Sequence, residues 1–193
     1  MIRQFENRLI GVVLAGGLSR RMGQDKSLML YRDEALIKYS IDILTPYCSE
    51  VLLSSNTKFH DKFGLTRIED LHKEIGPMGG LYSILKQNKA EYYLCLPCDS
   101  PMVKPEFIEQ LINQIDDNFQ AIVPIHEHHI EPLFAIYHHS ISEVLELCIS
   151  KNNYKMMNLL NQVQSKYIPI NEESYFMNIN TPEDYQRLIN KSE

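Results

Sequence analysis

The sequence predicts an α/β fold with a largely parallel central sheet, on three observations. Short apolar runs alternate with amphipathic runs along the 193 residues, and strands that alternate with helices build parallel sheets. The first apolar run, Leu9–Leu14 (LIGVVL), ends on Gly16-Gly17, as a buried strand entering a loop does. No low-complexity stretch, long Gly/Ser/Pro linker or fixed repeat interrupts the alternation. Residues 1–193 are therefore expected to form one domain, long enough for a proper core.

Each element carries its own signal. Residues 34–45 place Ile37, Ile41 and Leu44 at helical spacing, and 51–55 (VLLSS) and 92–96 (YYLCL) read as strands. The stretch 76–80 breaks the chain before a short helix carrying Leu81 and Leu85. Pro105 suits the first turn of a helix with Phe107, Leu111 and Ile115 on its apolar stripe. Residues 121–125 and 133–137 read as strands flanking a polar loop, a hairpin. Thr181-Pro182-Glu183-Asp184 is a helix start, with Thr as cap, Pro in the first turn and an acid three residues on.

Composition excludes several classes. Asp and Glu number 25 against 19 Lys and Arg, a net charge of −6, which argues against a general nucleic-acid binder. The mix of 44% apolar and 23% charged residues is that of an ordinary soluble protein. No window approaches the ~18 apolar residues of a membrane span, and the opening MIRQFENRLIG is too polar for a signal peptide. Four cysteines make no disulfide framework, so the cytoplasm is the expected location.

In such folds ligands bind beyond the carboxyl ends of the strands. There the sequence reads Leu14-Ala15-Gly16-Gly17-Leu18-Ser19-Arg20-Arg21-Met22-Gly23-Gln24-Asp25-Lys26. Adjacent glycines let backbone N–H groups approach anionic oxygens, and three cations follow within an acidic chain. The segment lacks the Gly-Lys-Ser/Thr ending of a P-loop and the spacing of the dinucleotide fingerprint. An ordinary strand–helix turn with a solvated basic surface is the alternative.

This segment closely resembles the nucleotide-binding loop of the nucleotidyltransferase superfamily, and its Ala-Gly-Gly and Asp-Lys are most similar to those of the molybdenum cofactor guanylyltransferases. Further family motifs follow in order: Ile68-Glu69-Asp70, Gly76-Pro77-Met78-Gly79-Gly80, Leu96-Pro97-Cys98-Asp99-Ser100-Pro101, Glu131-Pro132-Leu133-Phe134-Ala135-Ile136-Tyr137 and Asn178-Ile179-Asn180-Thr181-Pro182-Glu183-Asp184. The resemblance implies a three-layer Rossmann-like nucleotidyltransferase fold with a mostly parallel sheet. It implies that the backbone of Leu14, Ala15, Gly16 and Gly17 holds GTP, that Asp70 holds the nucleoside, and that Lys26 contacts the phosphates. Asp99, directly after a strand, would be both catalytic and the ligand of Mg²⁺, a cation that suits hard oxygen donors and bridges phosphates; capping the next segment is its plainer role. The family's asparagine after the second strand falls on Ser54 or Asn56, and both stay open. Asn178 and Asn180 are expected near the acceptor or a second metal position.

The implied reaction moves GMP from GTP to the phosphate of molybdenum-bound molybdopterin and releases pyrophosphate. Lys26, Asp99 and Arg21 would supply the charge neutralisation. Transient contacts with other cofactor-biosynthesis proteins or recipient apo-enzymes are expected. Cytidylyl transfer to the same cofactor is the nearest rival, though those relatives tend to carry Ala-Ala-Gly in place of Ala15-Gly16-Gly17. A regulator that holds GTP without chemistry is a second. Two other patterns point elsewhere. Cys95-Leu-Pro-Cys98 has redox or half-zinc spacing but closes a strand instead of opening a helix. His126, His128, His129, His138 and His139 include common metal ligands, with a polar hairpin tip as the favoured reading.

Overall fold

The computed structural model describes residues 8–16, 25–87 and 89–190. Gly17, Arg20 and Arg21 lie outside them. In chain order the elements are β1 (Leu9–Leu14), the hairpin β2 (Leu30–Tyr31) and β3 (Glu34–Ala35), α1 (Leu36–Leu44), β4 (Val51–Ser54) and β5 (Thr66–Ile68). Then come α2 (Pro77–Leu85), β6 (Tyr92–Pro97), α3 (Pro105–Ile112), β7 (Ala121–His126), β8 (His129–Ile130) and β9 (Ile136–His138). The chain closes with α4 (Ser142–Ser150), α5 (Met156–Leu160), β10 (Ser165–Pro169) and α6 (Pro182–Asn190). Among the described residues eight strands join one sheet, in the order β10-β7-β9-β6-β1-β4-β5 with β8 on β7. Only β8 and β9 run antiparallel to their neighbours. This is the α/β fold with a mostly parallel sheet that the sequence predicts.

Strand alternation builds the three layers. Ile10 and Val12 of β1 face one side with Met78, Leu81 and Leu85 of α2, Leu145 of α4 and Leu159 of α5. Leu9 and Val13 face the other, with Ile37, Ile41 and Leu44 of α1 and Phe107 and Leu111 of α3. Residues two apart share a face, so an apolar run covered on both sides is what a central parallel strand needs. A small third cluster of Tyr31, Leu36, Ile179 and Leu188 ties α6 to the β2–β3 hairpin.

Two expected elements differ in detail. The helix after the glycine break starts at Pro77, so Gly79 and Gly80 lie within it and not before it. Gly76 makes the break with φ +72°, and the two later glycines serve close packing. A Cβ on Gly79 would stand 2.7 Å from the His72 carbonyl oxygen, and one on Gly80 2.3 Å from Ser54 Oγ. The strand expected over 133–137 begins only at Ile136, because Phe134 donates to the Glu131 carbonyl at 3.2 Å in a turn containing Pro132. β7 and β9 still form an antiparallel pair, with β8 added at the tip. α3 ends at Ile112, and Ile115 packs on the same core just beyond it.

Among the described residues no helix is long and apolar enough to cross a membrane.

Candidate active site

The strand register sets up the site. Leu14, Ser54, Ile68 and Pro97 occupy one row at the carboxyl edge of β1, β4, β5 and β6. Two residues further on, the four strands deliver Gly16, Asn56, Asp70 and Asp99. The ladder is still in step where they leave it, with Ala15 N donating to Ser54 O at 2.9 Å, Ser55 N to Ile68 O at 3.0 Å and Cys98 N to Leu14 O at 3.1 Å. The chain leaves β1 for β4 on one side and returns as β6 on the other. Gly16 and Asp99 therefore flank a topological switch point, where open α/β sheets have their crevice.

At one end of this row Asn56 and Asp70 bind each other reciprocally. Asn56 Nδ2 donates to Asp70 Oδ2 at 2.9 Å, and Asp70 N donates to Asn56 Oδ1 at 2.9 Å. Of the two residues open at this position, Asn56 is exposed and Ser54 is buried beneath Gly80. Asp70 is 9% exposed. Its Oδ1 is buried without a hydrogen-bond partner among the described residues. Burial raises this carboxyl above its ordinary value, and the Asn56 hydrogen bond offsets part of the rise. A half-desolvated acceptor beside Gly16 (an added Cβ there would lie 3.7 Å from Asp70 Oδ2) is suited to a ligand that brings donors.

At the other end the Lys26 ammonium donates to Asp99 Oδ2 and, at 2.9 Å, to Asn180 Oδ1. Asp99 is 3% exposed. The ammonium therefore marks a cation position between a carboxylate and an amide oxygen. The Asn-x-Asn segment is fixed beside it: Ser100 Oγ donates to Asn178 Oδ1 at 2.7 Å and Ile179 N to Asp99 O at 3.3 Å. The expected cap of α6 holds Asn180 from behind. Thr181 Oγ1 accepts from Asp184 N at 3.1 Å, and Asp184 Oδ2 accepts from Thr181 N at 2.9 Å and Asn180 N at 3.2 Å.

Beyond Asn178 opens a cavity of about 570 Å³, lined by residues of the β7–β8 hairpin, the 172–178 loop and α6, among them His126, Glu131, Phe176 and Arg187. Phe176 is held in its wall by edge-on contacts to Phe107 and Phe134, with centroids 5.7 and 5.2 Å apart. Burial raises the Glu131 carboxyl, and His129 and His126 offset part of that.

The two distracting patterns separate in space. Cys95 packs in one face of the core and Cys98 in the opposite one, and burial raises both thiols far above their ordinary range. Neither is a ready nucleophile. The histidines divide between the β7–β8 tip and the far edge of β9 near Glu91. Among the described residues no three His, Cys, Asp or Glu side chains converge as a metal cluster.

Residues 11–166 match the MobA-like NTP transferase domain. The chain belongs to that family. A probable molybdenum cofactor guanylyltransferase of Bacillus cytotoxicus is 31% identical over 189 residues, covering 93% of this chain and 95% of that protein. A similar match, 30% identical over 93% of this chain and 94% of the relative, is the probable molybdenum cofactor guanylyltransferase of Bacillus mycoides. The crystal structure of molybdopterin-guanine dinucleotide biosynthesis protein A from Archaeoglobus fulgidus superposes with a TM-score of 0.82 at 27% identity, covering 95% of this chain and 98% of that one. A CMP:2-keto-3-deoxy-manno-octonic acid synthetase complexed with CTP shares the fold, with a TM-score of 0.77 at 13% identity over 96% of this chain and 98% of that one. The Rossmann-like nucleotidyltransferase fold implied by the motifs is thus the fold of this chain.

Proposed function

We propose that the protein transfers GMP from GTP to the terminal phosphate of molybdenum-bound molybdopterin. An acceptor phosphate oxygen attacks the α-phosphorus, the bond from that phosphorus to the bridging oxygen breaks, and pyrophosphate leaves. The observation that carries the reading is the convergence of Lys26, Asp99 and Asn180 at the switch point, with Gly16 and Asp70 on one side and a cavity on the other. The names of the relatives support guanine and this acceptor.

Each residue has a proposed task, supported by its position for all but Gly17, which lies outside the described residues. The backbone of Leu14, Ala15, Gly16 and Gly17 holds the nucleotide and the Asp70 carboxylate its nucleoside. Lys26 places a compact positive charge on the α-phosphate as negative charge builds there. Asp99 with Asn180 offers hard oxygens around a position that already accepts a cation, and these two residues would hold Mg²⁺. Mg²⁺ bound there would neutralise developing phosphate charge. The Lys26–Asp99 contact must open for substrate, which passes the ammonium from carboxylate to phosphate. An acceptor phosphate is already nucleophilic at neutral pH, so positioning and charge do the work.

The presence of both Lys26 and Asp99, in contact, favours a catalyst over a binding-only regulator. A cytoplasmic site of action and brief contacts with other cofactor-biosynthesis proteins or recipient apo-enzymes belong to the same proposal. With Mg²⁺ present, GTP should raise the melting temperature far more than CTP, ATP or UTP. Adding molybdenum-loaded molybdopterin should then release pyrophosphate. Stabilisation by CTP alone points to cytidylyl transfer, and GTP binding without pyrophosphate points to a regulator.

A further inference from the structure

His60 is completely buried in a polar neighbourhood that the reaction does not use. It lies in the 3-10 turn Lys58–Phe63, four residues past Asn56, and its ring bridges two separate parts of the site. On one side Ser55 Oγ stands 2.7 Å from Nδ1. On the other, Nε2 is 2.7 Å from Ser27 Oγ and 3.1 Å from Asp25 Oδ2. Asp25 in turn caps the short turn Lys26–Leu28, accepting from Ser27 N at 3.0 Å and Ser27 Oγ at 2.6 Å.

In the neutral ring the protons fit a single arrangement. A carboxylate only accepts, so Nε2 carries the hydrogen that Asp25 and Ser27 Oγ share. Ser27 Oγ donates its own hydrogen bond to Asp25 Oδ1. Nδ1 is then an acceptor for the Ser55 hydroxyl, which itself accepts from Thr57 N at 3.1 Å. Every buried polar atom of the relay has a partner, the condition under which such a network rigidifies its surroundings. Desolvation pushes the Asp25 carboxyl up, but the hydrogen bonds from His60 and Ser27 outweigh it and hold it below its ordinary value.

Lys26 sits between the two residues that His60 grips. Its side chain must reach across to Asp99 and Asn180, and the residues on either side of it, Asp25 and Ser27, are both tied to the ring. The opposite nitrogen is tied to the residue preceding Asn56, the partner of Asp70. We propose that His60 is a positioning residue for Lys26: it fixes the origin of the lysine side chain relative to the Asn56–Asp70 wall, so that the ammonium meets the α-phosphate when the nucleoside is seated. The proposal rests on the reading of Lys26 as the phosphate-binding group.

The two amide substitutions separate the two halves of the relay. His60→Gln can place its amide N–H near the Nε2 position and keep Asp25. His60→Asn reaches only the Nδ1 side and releases Asp25 and Ser27. We expect His60→Asn to lower kcat about 10- to 100-fold, the scale of a sub-ångström to 1 Å misplacement, with a KM for GTP changed less than about 3-fold. His60→Gln should restore kcat to within about 3-fold of the parent. In a Lys26→Ala background the same His60→Asn change should cost less than about 3-fold, since coupled residues lose their effect together. Full kcat in a folded His60→Asn protein, or an undiminished loss in the Lys26→Ala background, overturns the proposal. If the parent enzyme makes no pyrophosphate, the function is what fails. The same cycle is then read on calorimetric affinity for inorganic tripolyphosphate, where His60→Asn should weaken binding only when Lys26 is present, and additive losses overturn the proposal.

Discussion

The two walls of the Lys26–Asp99 centre are built by different means. The proposed nucleotide wall is a row of residues two positions past the paired ends of four adjacent parallel strands, so β-ladder register spaces Gly16, Asn56, Asp70 and Asp99. The opposite wall gathers the 126–131 hairpin, the 172–178 loop and the start of α6, segments far apart in sequence, with the loop held by packing of Phe176 on Phe107 and Phe134 and α6 by the Ile179–Leu188 cluster. Register is rigid because slipping a strand by one residue turns every side chain over. Aromatic packing tolerates exchange of neighbours so long as volume is kept. On the proposed function, such a division would keep triphosphate geometry constant while leaving the acceptor side free to change.

The largest break of this arrangement is at the seam. Lys26→Ala and Asp99→Ala should each reduce turnover at least ~10²-fold in protein that remains folded, as loss of one preorganised electrostatic contact does. Pyrophosphate release with saturating GTP and acceptor measures it, and circular dichroism checks the fold. Near-normal turnover in either variant removes these residues from the chemistry and, with them, the meaning of the two-wall comparison.

A smaller effect, with a sign of its own, belongs to the nucleotide wall. Asp70→Asn should weaken GTP binding about 10-fold, the worth of a charged acceptor, yet raise the melting temperature at neutral pH. The sign follows from burial, which lifts the native carboxyl above its ordinary 3.8. A raised acid binds its proton more tightly in the native state, so its contribution to stability is fully present below pH 3.8 and is lost as pH climbs through the native value. The variant carries no such loss. Its advantage in melting temperature should therefore be largest at neutral pH and vanish in acid. A constant gap across pH would mean that Asp70 is not held at a cost to the fold.

The same contrast explains what could be read from the sequence. Leu9–Leu14, the helix of Ile37 and Leu44, and the place of Asp99 just past a strand are legible because short strands and helical spacing are local facts. The capping box at Thr181 and Asp184 was legible for the same reason. β5 (Thr-Arg-Ile) and β10, which ends in proline at the opposite sheet edge, are too short and half-exposed for a clean pattern. β9 was misplaced because a turn through Pro132 consumes the apolar residues that precede it. His60, in Lys-Phe-His-Asp-Lys, has the look of a solvated turn. Only the fold shows that its ring is enclosed between Ser55 and Ser27. An even spacing between Ser54 and Asn56 could not say which of them is buried, since that is decided by where Gly80 lies.

The mildest test addresses the acceptor wall alone. Glu131 lines the cavity, half-buried and with its carboxyl raised by desolvation. A pterin presents an edge of ring and amino N–H donors, for which a partly desolvated carboxylate is a strong acceptor. Glu131→Gln keeps the shape and one acceptor oxygen while removing the charge. The KM for the molybdopterin acceptor should then rise about 3- to 10-fold, as for one weakened hydrogen bond, with GTP affinity within about 2-fold of the parent. Calorimetry with GTP and initial rates against acceptor concentration separate the two numbers. If the loss appears in GTP affinity instead, the walls are not independent and the cavity is part of the nucleotide site. If neither number moves, the acceptor's N–H edge lies elsewhere, and Phe176 and Arg187 become the residues to vary next.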